Sequence, residues 1–307
     1  MLAKVIQLVK NIKNLSGDLQ QLSNKIDTQK ILQAQILSAL NSNKESAILH
    51  QLQVAEFSVF SQWGDDGIID FLAQYLEFEH KTFLEFGVEN YAEANTRFLL
   101  MNRNWTGFVI DGSEKNISTI KNSELYWKHE LTAACNFITK ENINEIIKEH
   151  GFEQKIDLLH IDIDGNDYHI WEAIQCISPT LVIMEYNSIF GSDKPWTIPY
   201  NPQFERGKAH YSHLYCGASL LSLCDLANEK GYVFIGTNSA GNNAYFVKKG
   251  KEKNLQTYTC ETGFVASKFR ESRDENGQLN FLAGQNRLQL LKGLPILNTR
   301  SKQIEEI

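Results

Sequence analysis

Apolar residues recur along the first forty positions with the period of a helix that seeks a partner. One heptad position reads Val5, Ile12, Leu19, Ile26, Gln33 and Leu40, and the other reads Leu8, Leu15, Leu22, Gln29 and Ile36. A repeat of about 3.5 residues predicts a helix with a left-handed coiled-coil seam. β-branched residues at the first position with Leu at the second favour a parallel dimer, and a trimer stays open. Gln29 and Gln33 would be polar layers that fix register. The same stripe also suits a single amphipathic helix laid on its own domain. No proline precedes Pro179, so nothing forces a break before the polar joint at 41–46. Residues 1–46 are therefore assigned to an oligomerisation helix.

Beyond residue 47 the period changes. Short apolar runs that each end in an acid alternate with helical stretches. Thr82–Phe86 is a strand ending in Gly87, with a helix from Ala94 to Leu100 after it. Gly107–Ile110 is a strand ending in Asp111-Gly112-Ser113. Leu131–Phe137 reads as a third strand and Asn142–His150 as a helix. Asp157–Ile161 is a fourth strand, ending in Asp162-Ile163-Asp164-Gly165. Leu181–Met184 is a fifth, ending in Glu185-Tyr186-Asn187. After a helix over Leu220–Lys230, Tyr232–Gly236 and Ala244–Lys248 flank Thr237–Asn243, whose Asn and Gly residues predict a hairpin. This order implies an α/β fold. It is a Rossmann-like, mostly parallel sheet of seven strands with an antiparallel last strand. The catalytic domain is placed at 47–250, and 251–307 is a C-terminal extension.

Composition narrows the picture. The 307 residues carry a net charge of -7, which argues against general nucleic-acid binding. Five scattered cysteines make no C-x-x-C pair, so a zinc site or disulfide framework is not expected, and reduced thiols point to a cytoplasmic protein. No apolar run reaches the length of a membrane span, and the N-terminus does not read as a signal peptide.

The chemistry gathers at strand ends. In nucleotide-binding α/β folds the ligand lies across the carboxyl ends of the strands. A glycine after the first strand lets backbone approach it, and an acid after the second takes ribose hydroxyls. Gly87 and Asp111 have that spacing. Asp162, Asp164, Glu185 and Asn187 end adjacent strands, and four oxygen-bearing side chains converging there would suit Mg2+ or another divalent ion. Two other readings of the aspartates stay open. Asp162 or Asp164 is a general base without metal, or Asp164-Gly165-Asn166-Asp167 is only a turn and helix cap. Asp65 or Asp66 reads as the cap of a helix over 68–76. His160 is expected to point into the sheet layer. The stiff, aromatic loop 194–202 places Trp196 and Tyr200 at the acceptor rim, with His210 and His213 as loop contacts. Arg270 and Arg273 are candidates for gripping a phosphate or carboxylate.

Four strings in order resemble the class I S-adenosylmethionine-dependent methyltransferases, and among them the FkbM-like enzymes of bacterial glycan biosynthesis. They are Ser61-Gln62-Trp63-Gly64-Asp65-Asp66-Gly67, Phe83-Leu84-Glu85-Phe86-Gly87-Val88, Ile161-Asp162-Ile163-Asp164-Gly165-Asn166-Asp167-Tyr168, and Gly236–Asn243. The resemblance spans roughly residues 56–250. One departure is that Glu89 stands where the family carries its second glycine. The resemblance implies S-adenosylmethionine as cofactor. Glu85, Gly87 and Glu89 would line its methionine end, Asn95 would donate to its carboxylate, and Asp111, Gly112 and Ser113 would form the ribose wall. Gln62 joins them. It further implies O-methylation of a small-molecule or glycan acceptor, with Asp162, Glu185 and Asn187 as metal ligands in the metal-dependent version. A second class of function is a non-catalytic coiled-coil assembly protein that keeps a nucleotide-binding domain.

Overall fold

The computed structural model describes residues 2–307, apart from the side chains of residues 2–10, 12–14, 16 and 20, so the heptad positions Val5, Leu8 and Ile12 lie outside the described residues. The chain opens with α1 (Leu2–Ser42) and α2 (Glu45–His50), and α3 (Asp65–Tyr75) follows. Then come β1 (Thr82–Phe86), α4 (Arg97–Arg103), β2 (Thr106–Asp111), α5 (Glu114–Lys121), α6 (Glu124–Lys128), β3 (Leu131–Cys135), α7 (Ile143–Glu149), β4 (Leu158–Ile161), α8 (Asp167–Ala173) and β5 (Leu181–Glu185). The remainder holds β6 (Trp196–Thr197), α9 (Arg206–Ala209), α10 (Leu220–Glu229), β7 (Tyr232–Thr237), β8 (Asn243–Lys248), α11 (Cys260–Gly263), α12 (Gln285–Gln289), β9 (Pro295–Asn298) and β10 (Ile304–Glu306).

Seven strands form one sheet in the order β3-β2-β1-β4-β5-β8-β7. The first five are parallel, and β8 runs antiparallel to both β5 and β7. This is the expected Rossmann-like sheet. The sheet starts at β1, winds out to β3, and returns to β4 on the other side of β1. That reversal opens a crevice above the carboxyl ends of β1 and β4, where α/β sheets bind ligands.

Successive side chains of the strands feed opposite layers. Leu84, Phe86, Phe108, Ile110, Leu159 and Ile161 pack on one face, with Ile146 and Ile147 of α7 and Ile170 of α8. Phe83, Val109, Leu158, Leu181 and Ile183 pack on the other, with Ile68, Ile69 and Leu72 of α3. Both faces are covered, which is why the strands read as continuous apolar runs.

Local deviations from the expected elements have physical causes. The helix expected from Ala94 begins at Arg97, because the backbone N–H groups of Asn95 and Thr96 turn onto the Glu85 carboxylate. The third strand ends at Cys135, its last residue opposite β2. Neither Asp65 nor Asp66 caps α3, whose N-cap is Gly64. Asp66 accepts instead from the N–H groups of Val59, Phe60 and Ser61. Asp65 accepts from Asn238, Asn243 and Tyr245 of the β7–β8 hairpin.

Helix α1 uses two faces. Asp27, Ala34, Ser38 and Asn41 meet the body of the protein. Asp27 pairs with Arg97 at 2.7 Å, Ser38 donates to Asp70, Asn41 donates to the Ala55 carbonyl, and Ala34 is buried. The heptad residues Leu15, Leu19, Leu22, Ile26, Ile36 and Leu40 are all exposed. The C-terminal residues fold back rather than trail away, as β9 pairs with β6 and β10. Among the described residues no helix is long and apolar enough to cross a membrane.

Candidate functional site

A cavity of about 460 Å³ opens at the crevice above β1 and β4. Its lining falls into two halves. One half contains Gln62 from the segment before α3, and Glu85, Gly87, Glu89, Asn95, Asp111, Gly112 and Phe137 from the ends of β1, β2 and β3 and the loops that follow them. The other contains Asp162, Asp164 and Asn166 from the loop after β4, Glu185 at the end of β5, Phe204 between β6 and α9, and Arg206 at the start of α9.

In the first half the strand-end acids have different tasks. Glu85 is buried, and four donors saturate it. Asn95 N–H (2.9 Å) and His160 Nδ1 (2.9 Å) meet Oε1, while Thr96 meets Oε2 through both its N–H and its hydroxyl. A carboxylate offers about four acceptor positions, so Glu85 has none left for a ligand. Its role is to shape the loop and hold the imidazole. Despite desolvation, His160 and the other donors keep its carboxyl below the usual range, while Glu85 raises the His160 pKa. Asn95 turns Nδ2 to His160 Nε2 at 3.0 Å. One end of the Asn95 amide is thus tied to the imidazole, and the other has no protein partner among the described residues.

Asp111 spends three of its four positions on protein. Glu89 N–H donates to Oδ2 at 2.9 Å, and Ser113 N–H and Asn116 Nδ2 donate to Oδ1 at 2.8 and 3.0 Å. One position on Oδ2 remains. Gly87 has φ +71°, and a Cβ there would lie 1.9 Å from the Asp162 carbonyl oxygen, so only glycine fits the crossing. Glu89 takes φ +46°. A non-glycine residue thus holds a left-handed backbone in this loop. Ser113 is the N-cap of α5 and lies behind the wall rather than in it.

In the second half three carboxylates converge. One oxygen each of Asp162, Asp164 and Glu185 lie within 4.8 Å of one another. No donor of the described residues hydrogen-bonds the Asp162 or Glu185 side chain. Desolvation, reinforced by Asp164, pushes Asp162 up to about 7. Desolvation and then Asp162 raise Glu185 well above the ordinary carboxylate value. Asp164 is the exposed member, at φ +58°, and receives Arg206 Nη1 at 2.5 Å. Phe204 packs on Gly165 so closely that a Cβ would lie 2.3 Å from its ring, which fixes this wall.

Several expected site residues lie elsewhere. Asn187 is not in the carboxylate cluster. Its Nδ2 donates to the Leu214 and Cys216 carbonyls and its Oδ1 caps a turn at Ile189, so its side chain is committed. Trp196 sits in β6 and donates to Glu305. Tyr200 donates to Glu141 under Lys140. His210 turns back to Ser212. None of these, nor Arg270, lines the cavity. His160, expected in the sheet layer, is buried but reaches the cavity, because it stands opposite Glu85 in the β1–β4 register. Arg206, Phe204 and Phe137 were not singled out from the sequence. Arg206 opens a one-turn helix and Phe204 precedes it, in a stretch without apolar periodicity, and Phe137, read as the end of the third strand, falls just beyond it.

No protein-family model and no curated protein matches the chain. Among solved structures it is similar to a S-adenosylmethionine-dependent methyltransferase from Clostridium acetobutylicum, at 13 % identity over 68 % of this chain and 99 % of that one, with a TM-score of 0.41. It is also similar to an O-methyltransferase from Bacillus cereus in complex with SAH, at 15 % identity over 72 % and 91 % of the two chains, with a TM-score of 0.40.

Proposed function

We propose that the chain is an S-adenosylmethionine-dependent O-methyltransferase acting on a saccharide or nucleotide-linked sugar. One observation carries the reading. A single cavity at the sheet's reversal point joins a nucleoside-type half, built on Gly87 and Asp111, to a half lined by acids with unspent acceptor capacity. Its volume falls in the range of small-molecule and cofactor sites.

The first half fits the cofactor. Asp111 has one acceptor position for a ribose hydroxyl, Phe137 and Ile110 offer apolar surface for a base, and the unpartnered edge of the Asn95 amide can face the methionine end. When bound, S-adenosylmethionine supplies the methyl group and the sulfonium leaving group. The protein's share is to align the acceptor oxygen and relieve it of its proton. Asp162, held near neutrality by its surroundings, suits that proton transfer at a carboxylate oxygen. The three converging oxygens also fit Mg2+, held by Asp162 and Glu185, which have no competing donor among the described residues, and by Asp164, which would share its carboxylate with Arg206. Such an ion would lower the pKa of the acceptor hydroxyl. The acceptor half is polar except for Ile163 and the Phe204 ring, which matches a polyhydroxylated molecule with one apolar face.

Titration of the full chain with SAH by calorimetry is the direct test. Binding is expected below millimolar, and Asp111→Ala is expected to weaken it by about tenfold, the loss of one charge-assisted hydrogen bond. Absence of binding at millimolar SAH removes the proposal. Methyl transfer to sugar acceptors, followed with Mg2+ and again with chelator, separates the metal from the metal-free version.

A further inference from the structure

Beyond the acid cluster lies a second, narrower recess of about 30 Å³. Glu185 and Arg206 line both hollows, so these side chains form a shared wall. Arg287 of α12 also lines the recess and is only 5 % exposed. Its Nη1 donates to Ser267 Oγ at 2.8 Å and to the Phe269 carbonyl at 3.4 Å, and its Nη2 donates to the Glu271 carbonyl at 3.2 Å. All three acceptors are neutral. Of the nearby carboxylates, Asp164 is engaged by Arg206 and Glu271 by Arg206 and Arg273, while Glu185 shares the lining of the recess without a hydrogen bond to any arginine. Among the described residues none forms an ion pair with Arg287. Its Nε is buried and has no hydrogen-bond partner.

A buried guanidinium without a counter-charge is costly, and so is a buried N–H without an acceptor. Holding the 267–271 segment would account for Nη1 and Nη2. It accounts neither for the full charge nor for the vacant Nε. An oxyanion in the recess would answer the charge, because arginine matches carboxylate and phosphate geometry. We propose that this recess is an anion subsite, in which Arg287 with Arg206 at the shared wall holds a phosphate or carboxylate of the acceptor. The acceptor class is then an acidic or phosphorylated sugar, with its hydroxyl on the Glu185 side toward Asp162. The word acceptor rests on the methyl-transfer reading, whereas the anion subsite does not.

Inorganic phosphate and acetate, each titrated into the full chain with and without saturating SAH, are the probes. At least one is expected to bind at about 20 mM or below, and SAH is expected not to displace it. Arg287→Gln is expected to weaken that binding at least tenfold and to leave SAH affinity within about twofold, while Arg287→Lys, which keeps the charge, retains more of it. Should Arg287→Gln not fold, Arg206→Gln at the more open side is read instead, with an expected loss of about threefold or more. The subsite is overturned if neither anion binds the wild-type chain. It is also overturned if the folded Arg287→Gln binds as wild type does, or if Arg206→Gln does so where Arg287→Gln cannot be read. Displacement of the anion by SAH would assign the charge to the cofactor and overturn the acceptor class. Failure of SAH to bind, with anion binding intact and Arg287-dependent, would remove methyl transfer and leave the subsite standing.

Discussion

Two residues show how side-chain identity and backbone shape separate. Glu89 occupies a left-handed conformation, which costs a non-glycine residue about 1–2 kcal/mol. If its backbone rather than its carboxylate matters, Glu89→Gly should keep SAH affinity within about twofold and shift stability by less than about 1 kcal/mol, since relief of strain offsets the freer unfolded chain. Calorimetry and thermal melts check both, and a large loss of affinity would mean that the side chain itself touches the ligand. Asp66 gives a pH signature. Burial pushes it from its ordinary 3.8 up to about 6 even though three N–H groups point at it. An acid whose folded value exceeds its unfolded one holds its proton more tightly when folded. Its contribution to stability is therefore full below pH 3.8 and lost as pH rises through about 6. Urea unfolding of Asp66→Asn should lack that slope, so the wild type gains on the variant by up to roughly 3 kcal/mol between neutrality and pH 4. Strand-end residues such as Gly87, Asp111, Asp162 and Glu185 were legible in the sequence because each closes an apolar run. Arg206, Phe204 and Arg287 were not, because they sit in segments without periodicity and reach the cavity only through tertiary folding.

At the scale of elements, two of the four strings that suggested a family turn out to be halves of one buried knot. Asp65 at the start of α3 accepts from Asn238 and Asn243 of the hairpin and from Tyr245 on β8. Neither Asp65 nor these partners line the cavity. Asp65→Ala strands three buried donors and is expected to lower stability on the order of 3 kcal/mol, read as a drop in the denaturant midpoint, while a folded fraction keeps its SAH affinity. Loss of SAH affinity with unchanged stability would contradict that division of labour. The sequence showed that these strings were special without showing to what end. Spacing reveals that acids and amides recur, but not that residues 65 and 238 meet. The sheet itself was legible throughout, because strands covered on both faces leave uninterrupted apolar runs and the Asn- and Gly-rich turn announces the reversal before β8.

At the scale of the whole molecule, α1 separates attachment from association. Its body-facing side carries an ion pair, a hydroxyl and a small residue, and its seam of Leu and Ile is left to water. Each such side chain gains about 1.5–3 kcal/mol on full burial, so the seam is expected to pair in a parallel coiled coil that leaves the bodies outside. Sedimentation of the full chain should give at least twice the monomer mass, and Leu22→Glu with Ile36→Glu should give the monomer with its melting transition nearly unchanged. A monomeric wild type would end that expectation. Within each body, the close crossing of Gly87 over the Asp162 carbonyl has its own consequence. The loop after β1, on the side proposed for the cofactor, rests directly on the loop after β4 that carries Asp162 and Asp164, with no slack between them. Seating one guest therefore sets the floor on which the other lands. Occupancy of the two halves should be thermodynamically linked, each guest changing the other's dissociation constant by the same factor.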